Sequence, residues 1–365
     1  MRLTRRSGTL PPSEGQVQHP RGRGQGRSFP HRRADRRPVR TGNRRHDLGA
    51  VTKPFAVGRV FLFPGQGRLH GAHLREAIQR PEDRAAAREV FEVVDGLARP
   101  FGMSTNDWWD RSGAADPEDA QPLGTPQLIM FATSIALSRT LMSQHAPPDA
   151  LMGCSFGEIA AFVVAGAWTL ADGVRAVCEL ESVLDKVRGS GGMLLLHDNP
   201  DTVQGVIDTL RLPRVVISCR TGPYQTVISG PFEDLDMTAS AARDLGIPTT
   251  RLPMVRCLSH HPEAAESADR YRARLTSIAQ APFRIPVYSP CAGRWYTADD
   301  DLRRRLADNL RLPLDITSAL HALARHGASC FVECGYGGGL AQAAADTVQT
   351  TCVHNPLRPA RHDRK

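Results

Sequence analysis

The sequence predicts an α/β protein, a large domain on a mostly parallel sheet interrupted by a small domain of different texture. Three observations predict it. Helical segments and apolar strands alternate along most of the 365 residues, the pattern of a sheet covered by helices. Residues 150–170 (ALMGCSFGEIAAFVVAGAWTL) run apolar strand, glycine turn, helix. Between 191 and 253 the order becomes strand, helix, two strands, helix, strand, the βαββαβ order of a ferredoxin-like unit.

Phe55 to Phe63 is β-rich and ends in a glycine turn, Pro64 to Gly67. Helical periodicity runs from His73 to Leu97, a polar loop from Asn106 to Leu123, and an amphipathic helix from Pro126 to Gln144, with proline suited to the first turn. A helix from Leu170 to Val187 can be capped by Thr169 or Asp172. In the small domain, strands are expected at 193–197, 215–219, 225–229 and 249–252, with helices at 201–210 and 232–245. A helix over 263–279, a strand at 285–288, a helix over 315–326, a strand at 330–333 and a helix over 340–347 complete the large domain, which spans 54–190 and 254–365.

The net charge of +8 is unevenly placed. Residues 1–53 hold fourteen of the 46 Lys/Arg but three of the 38 acids (Glu14, Asp35, Asp47), a net of +11, leaving −3 for the rest. This Arg-, Gly- and Pro-rich tail has too little apolar surface to offset its ordering entropy and reads as disordered. Three readings stay open for it. The start site lies too far upstream, with the functional chain beginning near Val39 or Val51; the tail is a basic arm for phosphates; or it is a transit peptide. A nucleic-acid partner would rest on the tail alone and is not expected. No apolar run reaches 18 residues and no apolar signal core is visible, so neither a membrane span nor a membrane partner is expected. The eight cysteines lack C-x-x-C spacing and read as reduced thiols of a cytoplasmic protein, without bound metal.

The pentapeptide Gly153 to Gly157 is G-x-S-x-G. Its glycines allow a tight turn and close approach of strand and helix. Ser155 is then held at a helix N-terminus, where free N–H groups can stabilise an oxyanion. Strand, turn and helix in this order make a hydrolase-like nucleophile site.

Several separated motifs together resemble the acyltransferase family that includes malonyl-CoA:acyl-carrier-protein transacylases and polyketide synthase acyltransferase domains. Phe61 to Gly67 (FLFPGQG) matches F-x-F-P-G-Q-G, and Gly153 to Glu158 (GCSFGE) matches G-H-S-x-G-E with Cys154 in place of His. Thr221 to Gly230 (TGPYQTVISG) resembles N-G-P-x-x-x-V-x-S-G. Cys257 to His260 (CLSH) occupies the specificity motif that ends in the catalytic histidine, and Asn309 to Pro313 (NLRLP) resembles N-L-R-x-P-V. The resemblance covers about 57–353.

It implies ping-pong acyl transfer. Ser155 attacks a thioester, His260 takes its proton, and the acyl-serine passes its acyl group to a carrier-protein thiol. The backbone N–H groups of Gln66 and Phe156 would form the oxyanion hole, and the Asn309 carbonyl would orient the imidazole. Gln127, Leu258, Gly65 and Gly67 would join Glu181 around the substrate. Donor and acceptor would be acyl-CoA or acyl-carrier proteins, with no bound cofactor beyond their phosphopantetheine, and the enzyme is expected to be a discrete, trans-acting monomer. His261 is an alternative base, Glu158 can serve as a complement to its helix N-terminus, and His70 and His73 can be solvated.

The chain departs from the pattern where malonyl-using members carry an arginine for the substrate carboxylate. Alignment back from Gly191 to Met193 places that position at Glu181, and no arginine lies between Ala176 and Val187. A carboxylate there repels malonate, so a non-carboxylated, even aminoacyl, unit of polyketide-type biosynthesis is expected, unless Glu181 points to solvent. An ordinary malonyl-CoA transacylase and an editing acyl-thioester hydrolase are the alternatives. An α/β-hydrolase esterase lacks its H-G-G-G here, and a non-catalytic carrier-binding module would lack the Ser–His pair.

Overall fold

The computed structural model of the chain describes residues 57–66, 72–105, 107–110, 122–349 and 352–357. The tail 1–53, Gly67, His70, the side chain of His73 and most of the expected polar loop lie outside the described residues.

The large sheet has the order β11-β10-β1-β2-β7-β8, formed by β1 (Arg59–Phe63), β2 (Ala150–Gly153), β7 (Val287–Ser289), β8 (Arg294–Trp295), β10 (Cys330–Glu333) and β11 (Cys352–His354). Every pairing is parallel except β7–β8. Strand alternation divides the apolar side chains between two cores. Phe61, Phe63, Leu151 and Val332 enter one, and Val60, Leu62, Ala150, Met152 and Phe331 enter the other. Helices α2 (Pro81–Ala98), α3 (Thr125–Gln144), α4 (Gly157–Val164) and α5 (Leu170–Leu184) contribute to the first core, and α10 (Ile316–Arg325) and α11 (Gly339–Thr347) to the second. Both faces of the parallel sheet are thus covered, which explains why its strands read as continuous apolar runs.

The second sheet contains β3 (Gly192–Leu196), β4 (Val216–Gly222), β5 (Gln225–Gly230) and β6 (Thr249–Arg251), in the order β6-β3-β5-β4. That order is ferredoxin-like, as the βαββαβ pattern predicts. The parallel strand β9 (Leu314–Asp315) extends it from outside 191–253, pairing Cys219 with Leu314. Leu194, Leu196 and Ile228 pack under α6 (Pro200–Leu210) and α7 (Phe232–Asp244). Met193, Val227 and Cys219 point to the opposite face, toward the cavity described below.

Several local expectations are corrected. Pro81 starts a second helix, so the periodic segment from His73 divides into α1 (Ala72–Ala77) and α2. Helix α3 is not amphipathic: every residue from Thr125 to Ser138 is buried, because α2, α4 and α5 pack around it. The helix expected over 263–279 shortens to α8 (Ala265–Arg274), entered through a 3-10 turn at Pro262–Ala264. Strands β8, β9 and β11 and helix α9 (Leu302–Asp308) are additional. Cys330 and Cys352, facing each other on paired strands, form a disulfide where reduced thiols were expected. The other six cysteines are free. Among the described residues no helix is long and apolar enough to cross a membrane.

Candidate active site

Three parallel strands deliver their C-terminal loops to one cavity of about 310 Å³, where open α/β sheets bind ligands. Strand β1 supplies Pro64, Gly65 and Gln66; β2 supplies Cys154, Ser155 and Phe156; β10 supplies Glu333 and, beyond it, Tyr336, Gly337 and Gly339. The small sheet closes the cavity with Met193, Leu195, Cys219 and Val227.

The serine turn is held by contacts only glycine permits. A Cβ on Gly157 would lie 2.2 Å from the Phe63 carbonyl oxygen, and one on Gly153 would lie 2.5 Å from Glu158 Cα. Ser155 sits at φ 54 and His260 at φ 52. Among the described residues only four non-glycines adopt positive φ, so this pair holds half of them. Each such residue costs about 1–3 kcal/mol and persists where its surroundings impose it.

Nε2 of His260 lies 2.8 Å from Oγ of Ser155, across 105 residues of sequence. Nδ1 lies 3.0 Å from the carbonyl oxygen of Leu312. A carbonyl can only accept, so Nδ1 carries the proton and donates it, and Nε2 is the acceptor for the serine hydroxyl. Burial pulls the His260 pKa down to about 4, partly opposed by the Leu312 carbonyl. The ring is neutral at physiological pH, the form a general base requires.

The orienting carbonyl is a correction: it belongs to Leu312, not Asn309. Asn309 instead donates from Nδ2 to Oε2 of Glu158 at 2.7 Å. The alternative base is corrected too. His261 Nε2 donates to the Arg214 carbonyl at 3.0 Å, while its Nδ1 accepts from Glu263 N at 3.1 Å, capping the following turn.

Glu158 does more than face a helix N-terminus. Fully buried, it accepts from Ser289 Oγ at 2.9 Å, from the Tyr296 hydroxyl at 3.1 and 3.0 Å, and from Asn309. Burial raises its pKa to about 7, opposed by those hydrogen bonds. Sequence reasoning missed this cluster because its members are up to 151 residues apart.

Glu181 points inward, which removes the solvent-facing alternative. It is 3% exposed and lines a narrow cavity of about 30 Å³ with Gln66, Gln127, Arg188, Arg256 and Cys257. Nε2 of Gln66 donates to its Oε1 at 3.3 Å. Burial pushes its pKa up to about 7, with Arg188 opposing. Gly65 lines the main cavity. Leu258 lines neither cavity: its side chain covers Gly191. Cys154, at the family histidine position, is a neutral thiol, pushed up to about 12 by burial.

Comparison with known proteins agrees with this geometry. Residues 60–361 match the family model described as "Acyl transferase domain". The chain is 29% identical over 286 residues to erythronolide synthase EryA3 of Saccharopolyspora erythraea, covering 78% of this chain and 9% of that protein. It is also 29% identical over 282 residues to polyketide synthase GfsA of Streptomyces halstedii, covering 75% of this chain and 4% of that protein. The chain thus spans less than a tenth of the length of these two relatives. Among solved structures, a loading acyltransferase from the avermectin modular polyketide synthase superposes with a TM-score of 0.73 at 25% identity, covering 82% of this chain and 93% of that one. The malonyl-CoA:acyl carrier protein transacylase of Xanthomonas oryzae shares the fold, with a TM-score of 0.72 at 24% identity over 84% and 96% of the two chains. A serine held in a strand-to-helix turn, a neutral histidine bonded to it, and a family match over most of the chain lead to one conclusion: the protein belongs to the acyl transferase domain family.

Proposed function

We propose that the chain transfers an acyl group from a thioester donor, through acyl-Ser155, to the phosphopantetheine thiol of an acyl carrier protein. The observation that carries this reading is the 2.8 Å contact between Ser155 Oγ and the unprotonated Nε2 of His260, at the wall of a substrate-sized cavity. Oγ attacks the thioester carbonyl as its proton passes to Nε2; that proton then goes to the departing thiolate. The carrier thiol returns along the same path: it gives its proton to Nε2 as its sulfur attacks the ester carbonyl, and the departing Ser155 Oγ takes that proton back from Nε2. The backbone N–H groups of Gln66 and Phe156 hold the oxyanion. The only cofactor is the phosphopantetheine arm of CoA or of the carrier protein.

We infer further that the acyl unit carries no carboxylate. The lining of the main cavity includes no arginine or lysine, and most of it is apolar. Sequence alignment puts Glu181 where malonyl-using members carry an arginine, and it lines the narrow cavity that shares Gln66 with the main one, together with Arg188 and Arg256; an amine-bearing unit that reaches it is the finer form of this reading. Intact-protein mass after incubation with malonyl-CoA, hexanoyl-CoA and an aminoacyl-loaded carrier protein tests this. An adduct from hexanoyl or aminoacyl donors, lost in Ser155→Ala, is expected; a malonyl adduct alone overturns the assignment of the unit. Free acid released without an acceptor would replace transfer by hydrolysis. The reading places the enzyme in the cytoplasm as a monomer.

A further inference from the structure

The base of the dyad owes its orientation to a loop, and that loop is tied to the nucleophile's own helix by one buried carboxylate. The Leu312 carbonyl that receives Nδ1–H of His260 lies three residues beyond Asn309, the C-cap of α9. The same loop also receives the backbone N–H of His261, at the Leu310 carbonyl, 3.1 Å away. The loop's position therefore sets where His260 stands. At its root, Asn309 donates to Glu158 at 2.7 Å. Glu158 lies three residues after Ser155, and its backbone N–H donates to the Ser155 carbonyl at 2.9 Å. Chain and hydrogen bonds thus close a ring: Ser155, Glu158, Asn309, Leu312, His260 and back to Ser155.

We infer that Glu158 is a positioning residue that fixes the His260 base against Ser155 by holding Asn309 and the loop behind it. This rests on the acyl-serine reading above. Three features support it. Glu158 is fully buried, and it accepts from three donors on three separate segments, the Tyr296 hydroxyl being shared between its two oxygens. The same carboxylate also accepts from Ser289 on β7 and Tyr296 after β8, so it stays bonded to the scaffold when the link to Asn309 is cut. Asn309 Oδ1 is buried without a hydrogen-bond partner, so no second bond of that amide holds the loop if the one to Glu158 is lost. A 1 Å displacement of a reacting group can cost about a hundredfold in rate.

The test is pre-steady-state acylation of the full chain by p-nitrophenyl acetate, with Ser155→Ala as the control and melting temperature measured beside each variant. Asn309→Ala cuts the link on the loop side and is expected to lower the acylation rate constant about ten- to a hundredfold with the apparent binding constant unchanged. Tyr296→Phe and Ser289→Ala detach partners that do not carry the loop. They are expected to lower the melting temperature but to leave the rate within about threefold. Glu158→Gln with Asn309→Asp reverses the bond between isosteric groups and is expected to recover most of the rate that either change loses alone. Equal rate losses in Tyr296→Phe and Asn309→Ala, or no loss in Asn309→Ala, would overturn the positioning role while leaving acyl-serine chemistry standing. No serine-dependent burst in the wild type would overturn both.

Discussion

Two buried glutamates of this molecule share a chemical state and differ in their company. Glu158 and Glu181 are each nearly inaccessible to water, and burial pushes each carboxyl up to about 7. Glu158 has three donors, all at 3.1 Å or less, that between them reach both of its oxygens. Glu181 accepts one, at 3.3 Å, among the described residues, and borders a cavity. A satisfied buried carboxylate is part of the scaffold, and an under-served one beside open space has capacity left for a ligand. The difference teaches that burial and a raised pKa do not distinguish support from recognition; hydrogen-bond saturation does.

Neither glutamate touches the reacting atoms, so the largest expected effect lies at Ser155 and His260. Ser155→Ala or His260→Ala should reduce acylation by on the order of 10⁴–10⁶, read as loss of the covalent adduct in intact mass. Next is the ten- to hundredfold loss expected on cutting the Glu158–Asn309 bond, which would break the comparison if Glu181→Gln cost as much.

Glu181→Arg should change which donor is accepted rather than how fast the dyad works. A malonyl adduct should rise at least about tenfold relative to hexanoyl, because a bidentate cation would replace a repelling anion. Equal preference before and after would remove Glu181 from recognition.

Stability separates the two most directly. A carboxyl whose folded pKa lies above its unfolded value binds more protons in the folded state, so stability falls as pH rises from about 4.5 toward 7. Glu181→Gln removes that cost and loses little, so it should stabilise the protein at pH 8 by on the order of 1–3 kcal/mol and have almost no effect near pH 4. Glu158→Gln should fail to stabilise at pH 8, since an amide nitrogen in place of Oε2 cannot accept from Asn309. Thermal melts at the two pH values distinguish these outcomes. The smallest effect concerns His260. Its pKa of about 4 lies below the ordinary 6.5, so the acid limb of kcat/KM should fall near 4 with no loss at 6.5.

Much of the site was legible before the fold was known. Ser155, Gln66 and Phe156 lie in short motifs whose glycines announce tight turns, and Gln127 and Glu181 lie on helices whose register the motifs anchor. Asn309 illustrates where motif reading stops. The right loop was identified but the wrong carbonyl, because which oxygen faces Nδ1 depends on how the turn after α9 is wound. Leu258 stood in a specificity motif, yet its side chain packs on Gly191. The short strands β8, β9 and β11 have two or three residues each, too few for a period-2 pattern to register.

The sequence by itself determined the α/β class, the ferredoxin-like insertion, the family and the strand-to-helix turn that holds Ser155, because period, glycine turns and motif spacing are local properties of the chain. Only the tertiary structure decided that Glu158 ties the nucleophile's helix to the base's loop, that Leu312 orients His260, and that Glu181 faces inward. Each of these depends on partners 52 to 151 residues apart, and such partners meet only once the strands have taken their order in the sheet.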